Sequence, residues 1–232
     1  MKRIMLKLSG EALGDKSGRG VDATTTVSIC NQVKEMIAKG KEVAVVIGGG
    51  NIFRGISGEQ EGYNRVSGDF MGMLATIMNA VAMQNIFEAN GLKAMVMTPF
   101  RLEEYVELFH VKKAQKFMKD GGVVICAGGT GRPFFTTDTA AALRSAELGI
   151  DLLIKATKVN GVYDCDPEKN PDAKLYEEIN YKDILKDGLK VMDTAAIAIC
   201  MDNSIPIRVL NIFEKGNILK LVNGENIGTL IK

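Results

Sequence analysis

The segment Glu42–Ile47 constrains the fold of this chain more than any other stretch. It reads EVAVVI, and its apolar residues follow one another without the alternation expected of a strand with one face in water. Such a strand is buried on both faces, as in the parallel sheet of an α/β protein, where helices cover both sides. Three glycines, Gly48, Gly49 and Gly50, follow it directly. The segment therefore predicts a buried strand that opens into a loop at its carboxyl end.

The other apolar segments fit the same architecture, because predicted strands and helices alternate along the chain. Further strands are predicted at Arg3–Leu8, Ala94–Met97, Val123–Ala127, Asp151–Ile154, Ile207–Leu210 and Thr229–Ile231. Helices are predicted from Asp22 or Thr24 to Lys39, and at Asp69–Asn90, Leu102–Lys119, Ala140–Leu148, Tyr181–Asp187, Thr194–Asn203 and Ile218–Val222. We find no repeat or linker, so we predict one domain over residues 1–232 with an α/β fold. The expected architecture is a three-layer αβα sandwich with a largely parallel central sheet.

The composition argues against several classes of function. Lys and Arg total 29 and Asp and Glu total 28, so the net charge of +1 provides no basic surface for nucleic acid or an anionic membrane. We identify no apolar run near the roughly 18 residues of a membrane span. Lys7 interrupts the apolar part of the N-terminus, which argues against a signal peptide. The single histidine, His110, argues against a catalytic triad or a histidine-based zinc site. We expect a cytoplasmic protein with no nucleic-acid or membrane partner.

The cysteines are far apart and form none of the closely spaced pairs that bind metals. We expect them to be buried, reduced thiols of a cytosolic protein. They are Cys30, Cys126, Cys165 and Cys200. The loop carboxylates Asp164 and Asp166 lack a third ligand with suitable spacing, so we assign no metal-binding residue.

Groups suited to phosphate binding follow the carboxyl ends of four predicted strands. They are Lys7–Gly10 (KLSG), Gly48–Arg54 (GGGNIFR), Gly129–Asp138 (GTGRPFFTTD) and Lys155–Thr157 (KAT). Ligands of open α/β sheets bind beyond these strand ends, and glycines and helix N-termini present backbone N–H groups to phosphate. Each segment alone is also typical of an ordinary turn, a hinge or an edge-strand lysine. Their coincidence predicts a site where two phosphate-bearing ligands meet.

This arrangement favours phosphoryl transfer, whose catalysis depends mainly on positioning and charge neutralisation. Lys7 and Lys155 are expected to stabilise the charge on the transferring group, and Asp138 to hold both ammonium groups in place. An acceptor that is already an anionic phosphate needs no general base, which fits a chain with one histidine. The sequence contains no GxxxxGK[ST] motif, so a P-loop is not used.

The same segments resemble the signatures of the bacterial UMP kinases (uridylate kinases) of the amino acid kinase family. The motifs are KLSGEAL at 7–13, VVIGGGNIFRG at 45–55, NRVSGDFMGMLATIMNA at 64–80, TGRPFFTTDTAA at 130–141, KATKVNGVYDCDP at 155–167, KVMD at 190–193 and PIRV at 206–209. The resemblance covers essentially the whole chain. It implies an amino acid kinase-like fold and transfer of the γ-phosphoryl group of ATP to UMP, giving UDP in pyrimidine nucleotide biosynthesis.

The resemblance also implies which residues form the site, with Lys7, Asp138 and Lys155 as the catalytic residues. The implied ATP-binding residues are Lys7, Leu8, Ser9, Gly10, Gly50, Arg54, Thr157, Asn160, Tyr163 and Asp166. The implied UMP-binding residues are Gly49, Asp69, Thr130, Gly131, Arg132, Pro133, Phe134, Phe135, Thr136 and Thr137. The N-terminal part of the domain would thus serve mainly UMP and the C-terminal part mainly ATP. Mg²⁺ would be held mainly through the nucleotide phosphates.

Family resemblance further implies a homohexamer that GTP activates and UTP inhibits. The loop that responds to GTP corresponds by position, rather than by residue identity, to Asp15, Lys16, Ser17, Gly18, Arg19 and Gly20. Arg132 departs from the family pattern TGNPFF, which has asparagine there. Two alternatives stay open. One is a relative that phosphorylates a carboxylate, against which the NRVSGD and KVMD motifs count. The other is a catalytically silent nucleotide-binding regulator or storage protein, against which the retained lysines and aspartate count.

Overall fold

The computed structural model describes residues 1–15, 17–53, 62–102, 104–165, 167, 169–170, 172–189, 191–214 and 216–232. Among these, the strands are β1 (Arg3–Leu8), β2 (Glu42–Ile47), β3 (Ala94–Thr98), β4 (Glu107–Leu108), β5 (Val123–Cys126), β6 (Leu152–Thr157), β7 (Glu178–Ile179), β8 (Ile207–Asn211) and β9 (Thr229–Ile231). The helices are α1 (Ala23–Ala38), α2 (Arg65–Ala89), α3 (Val111–Lys119), α4 (Thr137–Leu148), α5 (Tyr181–Asp187), α6 (Thr194–Asp202) and α7 (Asn217–Val222). A 3₁₀ turn spans Gly10–Ala12. Three predicted site residues, Lys16, Arg54 and Asp166, lie outside the described residues.

The strands form one sheet in the order β4-β3-β5-β2-β1-β6-β8-β9-β7. Neighbouring strands are parallel except β8 and β9, which are antiparallel. Strand β1 lies inside the sheet, and its Ile4 is opposite Val43 of β2 and Leu152 of β6. The prediction of a largely parallel sheet is confirmed, and the order brings β5, β2, β1 and β6 side by side.

Two hydrophobic cores, one on each face of the sheet, explain the unalternating apolar strands. In β2, Val43, Val45 and Ile47 pack into one core, whereas Ala44 and Val46 pack into the other. Helices α1, α2 and α7 cover the first core, and α3 to α6 cover the second. Every residue of β2 is buried. The predicted three-layer αβα arrangement is therefore confirmed.

The prediction of a helix over Leu102–Lys119 was wrong in its first half. The helix starts at Val111, and the Nδ1 atom of His110 accepts a hydrogen bond from the backbone N–H of Lys113. Before it, Glu107–Leu108 pairs with the end of β3 and so satisfies its backbone groups in the sheet instead of in a helix. The bridging pair Leu102 and Val106 closes a turn ahead of that strand.

The start of α2 also differs from the prediction, which placed it at Asp69. The helix begins at Arg65, because the Asn64 side chain accepts the backbone N–H of Ser67 and so caps the helix N-terminus. Asp69 therefore lies in the second turn rather than at the cap. The short strand β7 was not predicted, and the other helices and strands end within a few residues of their predicted bounds.

Two expectations from composition need correction. Cys30, Cys126 and Cys200 are buried free thiols, but Cys165 is exposed. Burial raises the pKa of Cys126 and of Cys200 to about 12, so both are held as thiols. The expectation that no apolar run approaches a membrane span was wrong for α2, which has 25 residues and an 18-residue window of mean hydropathy 1.3. In this fold 44% of that window is buried, because Met83 and Phe87 pack in the first core.

Candidate active site

The four strand ends singled out in the sequence lie next to one another, because β5, β2, β1 and β6 are neighbours in the sheet. The loops after β1 and β2 pack tightly together. A Cβ atom on Gly10 would lie 2.6 Å from the backbone N of Gly50 and 2.8 Å from the carbonyl O of Gly48. Only glycine fits such a backbone-to-backbone approach. The backbones of the loops after β1 and β2 therefore lie against each other at Gly10 and Gly50, beyond the ends of the two strands.

At the centre of this edge, Asp138 forms ion pairs with both Lys7 and Lys155. Its carboxylate oxygens are 2.5 Å from Nζ of Lys7 and 2.9 Å from Nζ of Lys155. The two lysines are opposite each other in the parallel register of β1 and β6, so both side chains leave the same face of the sheet. Asp138 reaches them from the first turn of α4. Lys155 Nζ also donates a hydrogen bond to the carbonyl of Val191.

Burial and charge shift the pKa values of this cluster. Burial alone would raise the pKa of Asp138, but the ammonium groups of Lys7 and Lys155 outweigh it and hold this pKa below its ordinary value. Burial is also the main reason that the pKa of Lys155 lies below its ordinary value of 10.5. Repulsion from Lys7 lowers it further, and Asp138 opposes the shift. The cluster thus has two cations and one anion, an excess of positive charge suited to an additional anionic group.

The loop between β5 and α4 places a helix N-terminus beside this cluster. The hydroxyl oxygen of Thr136 accepts the backbone N–H groups of Asp138 and Thr139 and so caps α4. Phe134 has φ of 70°, which is unusual for a residue with a side chain, and its backbone N–H donates to Asp69 at 2.7 Å. Asp69 also pairs with Arg65. The loop is therefore tied to α2 through Asp69.

A cavity of about 160 Å³ lies between this loop, α2 and the glycines after β2. The predicted acceptor residues that line it are Gly49, Asp69, Thr130, Arg132, Phe135, Thr136 and Thr137. Gly131, Pro133 and Phe134 belong to the same loop but are not among its lining residues. Sequence reasoning missed the wall contributed by Phe53, Gly68, Gly72, Met73 and Thr76. The spacing of Gly68, Gly72 and Thr76, one helical turn apart each time, is the sequence signal that would have found it.

The loop after β2 and helix α2 approach each other closely where both line the smaller cavity. A Cβ atom on Gly49 would lie 2.8 Å from the Cβ of Ala75 and 2.9 Å from the carbonyl O of Gly72. The loop after β2 therefore packs directly on the backbone of α2.

A second cavity, of about 430 Å³, opens on the other side of the lysine–aspartate cluster. Of the predicted donor residues, Thr157 and Tyr163 line it together with Lys155. Lys7, Leu8, Ser9, Gly10, Gly50 and Asn160 are not among its lining residues, and the Asn160 side chain accepts a hydrogen bond from Asn211. Sequence reasoning missed the apolar wall of Val159, Val162, Leu189, Val191 and Val209. Such a wall, with few polar groups, suits a planar organic group.

The loop proposed to respond to GTP is folded on itself. The Asp15 carboxylate accepts hydrogen bonds from the Ser17 hydroxyl at 2.5 Å and from the backbone N–H groups of Arg19 and Ser17 at 3.2 and 2.7 Å, and these bonds lower the pKa of Asp15. The loop touches the turn after β2, because the Asn51 side chain donates to the carbonyl of Gly20 at 2.5 Å. Asn51 in turn pairs with the buried Asn79 of α2. Gly18 also belongs to this loop, and its backbone N–H donates to the carbonyl of Asp15 at 2.8 Å.

Comparison with known proteins identifies the family. The sequence model of the amino acid kinase family matches residues 2–211. The chain belongs to the amino acid kinase family. Among the relatives of this amino acid kinase, the uridylate kinase of Campylobacter concisus is 50% identical over 225 residues, which cover 97% of this chain and 94% of the relative. The uridylate kinase of Methylococcus capsulatus is 48% identical over 230 residues, or 99% of this chain and 96% of the relative.

A solved structure shares the whole fold of this amino acid kinase. The crystal structure of UMP kinase from Bacillus anthracis matches with a TM-score of 0.96 and 36% identity, covering 100% of this chain and 96% of that one. The family resemblance read from the motifs is thereby confirmed, together with the amino acid kinase fold and kinase chemistry. In this kinase, Lys155 of the Lys7–Asp138–Lys155 cluster lines the larger cavity, and Thr136 and Thr137, next to Asp138 in the chain, line the smaller one.

Proposed function

We propose that this amino acid kinase is a UMP kinase, which transfers the γ-phosphoryl group of ATP to UMP and releases UDP and ADP. One observation carries the proposal: Asp138 holds Lys7 and Lys155 together between a larger and a smaller cavity. Two such cavities suit a donor and an acceptor nucleotide whose phosphates meet at the lysines. Relatives named uridylate kinase at about half identity over nearly the full length support UMP as the acceptor.

We assign UMP to the smaller cavity and ATP to the larger. The smaller cavity is lined by Thr130, Thr136 and Thr137 at the N-terminus of α4, where backbone N–H groups favour a phosphate. Arg132 lines it as well and adds a cation that binds anionic oxygens through a planar fork. The larger cavity offers the apolar wall near Tyr163 for the adenine. The ATP phosphates would then pass Lys155 and extend toward Ser9 and Gly10 at the end of β1.

The residues of the cluster divide the chemistry among them. Lys7 and Lys155 neutralise the charge that spreads over the equatorial oxygens of the transferring group. Asp138 stays ionised, since its pKa is lowered, and keeps the two ammonium groups from moving apart. It accepts no proton from the acceptor, because the UMP phosphate is already anionic and can attack in line. Catalysis therefore rests on positioning and charge rather than on a general base.

Magnesium, when bound with ATP, supplies further charge neutralisation at the donor phosphates. Among the described residues no cluster of three or more His, Cys, Asp or Glu side chains is placed to bind a metal. Asp138, the carboxylate nearest the reaction, is engaged by both lysines. That Mg²⁺ is held mainly through the nucleotide phosphates stays a proposal, which the family resemblance supports.

We further propose that the protein is cytoplasmic and that residues 1–232 form one functional domain.

We also propose that the chain assembles into a homohexamer. An apolar groove of about 840 Å³ on α2 supports assembly, with Ile77, Met78, Val81, Leu102 and Tyr105 among its lining residues. Met78 is 60% exposed and Tyr105 80%, which is unusual for large apolar side chains so close together. A second copy of the chain is the occupant we propose.

We also propose that GTP activates the enzyme through the loop at Asp15–Gly20 and that UTP inhibits it. The hydrogen bonds from this loop to Asn51 and onward to Asn79 provide a direct connection to α2 and the smaller cavity. If the rate of UMP phosphorylation does not change over a wide range of GTP and UTP concentrations, this part of the proposal is wrong.

The decisive experiment is a coupled assay for ADP formation with Mg-ATP and a panel of acceptors. UMP, CMP, dUMP, aspartate and N-acetylglutamate are compared at equal concentrations. We expect turnover mainly with UMP. Turnover with an amino acid would instead assign the chain to a carboxylate-phosphorylating branch. Binding of UMP without turnover on any acceptor would establish the alternative, a catalytically silent regulator or storage protein.

A further inference from the structure

The segment Val191–Asp193 contacts both sides of the lysine–aspartate cluster. Val191 lines the larger cavity, and its carbonyl accepts a hydrogen bond from Nζ of Lys155. Two residues later, the Asp193 carboxylate reaches the start of α4 beside the smaller cavity. This segment therefore joins, two residues apart, the carbonyl that accepts a hydrogen bond from Lys155 and the carboxylate that contacts the start of α4.

The Asp193 carboxylate accepts hydrogen bonds from two helices. It caps its own helix, α6, by accepting the backbone N–H of Ala196 at 2.9 Å. It also accepts the hydroxyl of Thr139 at 2.8 Å and the hydroxyl of Thr136. The threonine contacts are additional to capping, in which the side chain accepts a backbone N–H group of its own helix. Asp193 thus fastens the N-terminus of α4 to the N-terminus of α6.

In these contacts the hydroxyl group of Thr136 acts both as a hydrogen-bond donor and as an acceptor. Its oxygen accepts from the backbone N–H groups of Asp138 and Thr139, at 3.0 and 3.4 Å, while its proton points to Asp193. The hydroxyl can donate to a bound phosphate only if it leaves Asp193. Thr136 therefore holds the loop in shape in this structure, although it also lines the smaller cavity.

We propose that Asp193 is a positioning residue for phosphoryl transfer: it fixes the acceptor loop, through Thr136 and Thr139, at a set distance from Lys155, which the Val191 carbonyl holds. Asp193 does not touch either substrate. It acts by keeping the acceptor phosphate aligned with the lysines, and misplacement of reacting groups by about 1 Å can cost about 10²-fold in rate. The inference rests on the proposed function, because it assumes that UMP occupies the smaller cavity.

The test separates positioning from helix capping. Serine caps helices as well as aspartate does, but its side chain is too short to reach both threonines as well. We therefore compare Asp193→Ser with Asp202→Ser, which changes an exposed aspartate at the far end of the same helix. For Asp193→Ser we expect kcat/KM for UMP to fall about 10- to 100-fold, with KM for ATP within about threefold. The melting temperature should fall, because the buried Thr139 hydroxyl loses its acceptor, but the variant should stay folded at the assay temperature. Asp202→Ser should behave as wild type.

Substitutions of Thr139, which donates to Asp193, give a second measurement that does not require the Asp193→Ser variant to fold. Thr139→Val should reproduce the loss in kcat/KM for UMP, whereas Thr139→Ser, which keeps the hydroxyl, should restore it. The double variant of Asp193→Ser and Thr139→Val should lose less than the sum of the single effects, because both changes break the same bond. Wild-type kinetics for Asp193→Ser, or full additivity with Thr139→Val, would overturn the inference. If wild-type enzyme itself fails to phosphorylate UMP, the proposed function is what fails.

Discussion

Replacement of Lys155 by alanine should reduce kcat far more than it weakens binding of UMP. We expect kcat to fall about 10²- to 10³-fold, the usual loss when one preorganised charge at a transition state is removed. The Kd of UMP should change by less than about threefold. A charge that acts on the transferring group matters most when that group lies between donor and acceptor, so its removal raises the barrier rather than the Kd.

The structure explains the expected size of this loss. The Lys155 side chain is only 17% exposed, so water screens its charge poorly. It lines the larger cavity and is not among the residues that line the smaller one, which leaves the proposed UMP contacts intact. Asp138 keeps its ion pair with Lys7 at 2.5 Å, so the buried carboxylate retains one partner and the site remains folded.

Quenched-flow measurement of a single turnover at saturating Mg-ATP and UMP gives the chemical step, and calorimetric titration gives the Kd of UMP. The matched control is Lys158→Ala, which removes an exposed lysine three residues away and should leave both quantities unchanged. A collapse of UMP affinity with a surviving rate at saturation would refute the role assigned to Lys155.

Three further predictions follow from the same structure. Because burial holds the pKa of Lys155 below 10.5, kcat/KM for ATP should decline at alkaline pH with a midpoint below 10.5, and Lys155→Arg should abolish the decline; a midpoint at or above 10.5 would contradict this. Met78→Glu should shift sedimentation toward smaller assemblies, whereas Leu185→Glu, at a 39% exposed site on α5, should not; an unchanged sedimentation profile for Met78→Glu would place the interface elsewhere. Gly10→Ala should lower the free energy of unfolding by about 1–3 kcal/mol through overpacking. Gly72→Ala, whose Cβ would meet nothing within 4 Å, should raise the free energy of unfolding by about 0.5–1 kcal/mol in chemical denaturation. A Gly10→Ala variant that is more stable than Gly72→Ala would refute the packing argument.

Much of this fold and the neighbourhood of the site could be predicted from the sequence. Strand β2 was recognisable because a strand buried on both faces loses its alternation, and the two cores explain why. The position of the lysines beside α4 followed from a general property of parallel sheets, whose carboxyl ends share one edge. These features depend on local pattern and topology, both of which a single sequence carries.

What could not be predicted depended on contacts between distant segments. The start of α3 was misplaced because Glu107–Leu108 is stabilised by pairing with β3, which no local preference reveals. The wall of the smaller cavity on α2 was missed because it forms only where Gly49 packs against Gly72 and Thr76, a contact between distant segments. The contacts of Asp193 were likewise invisible, since they join two helices more than 50 residues apart.

The opposite placement of Lys7 and Lys155 in adjacent strands has a consequence for the evolution and engineering of this enzyme. The hydrogen-bond ladder of β1 and β6 sets the distance between the backbones of the two lysines, and Asp138 holds their ammonium groups together. A slip of one residue in that ladder would turn one lysine to the other face of the sheet and expel core residues such as Leu153. A sequence that changes the register of β1 and β6 therefore also destabilises the fold. Selection for a stable fold thus also preserves the relative position of the two lysines in the candidate active site. Mutational variation is accordingly expected in the cavity walls, where substrate choice can change without disturbing the lysines.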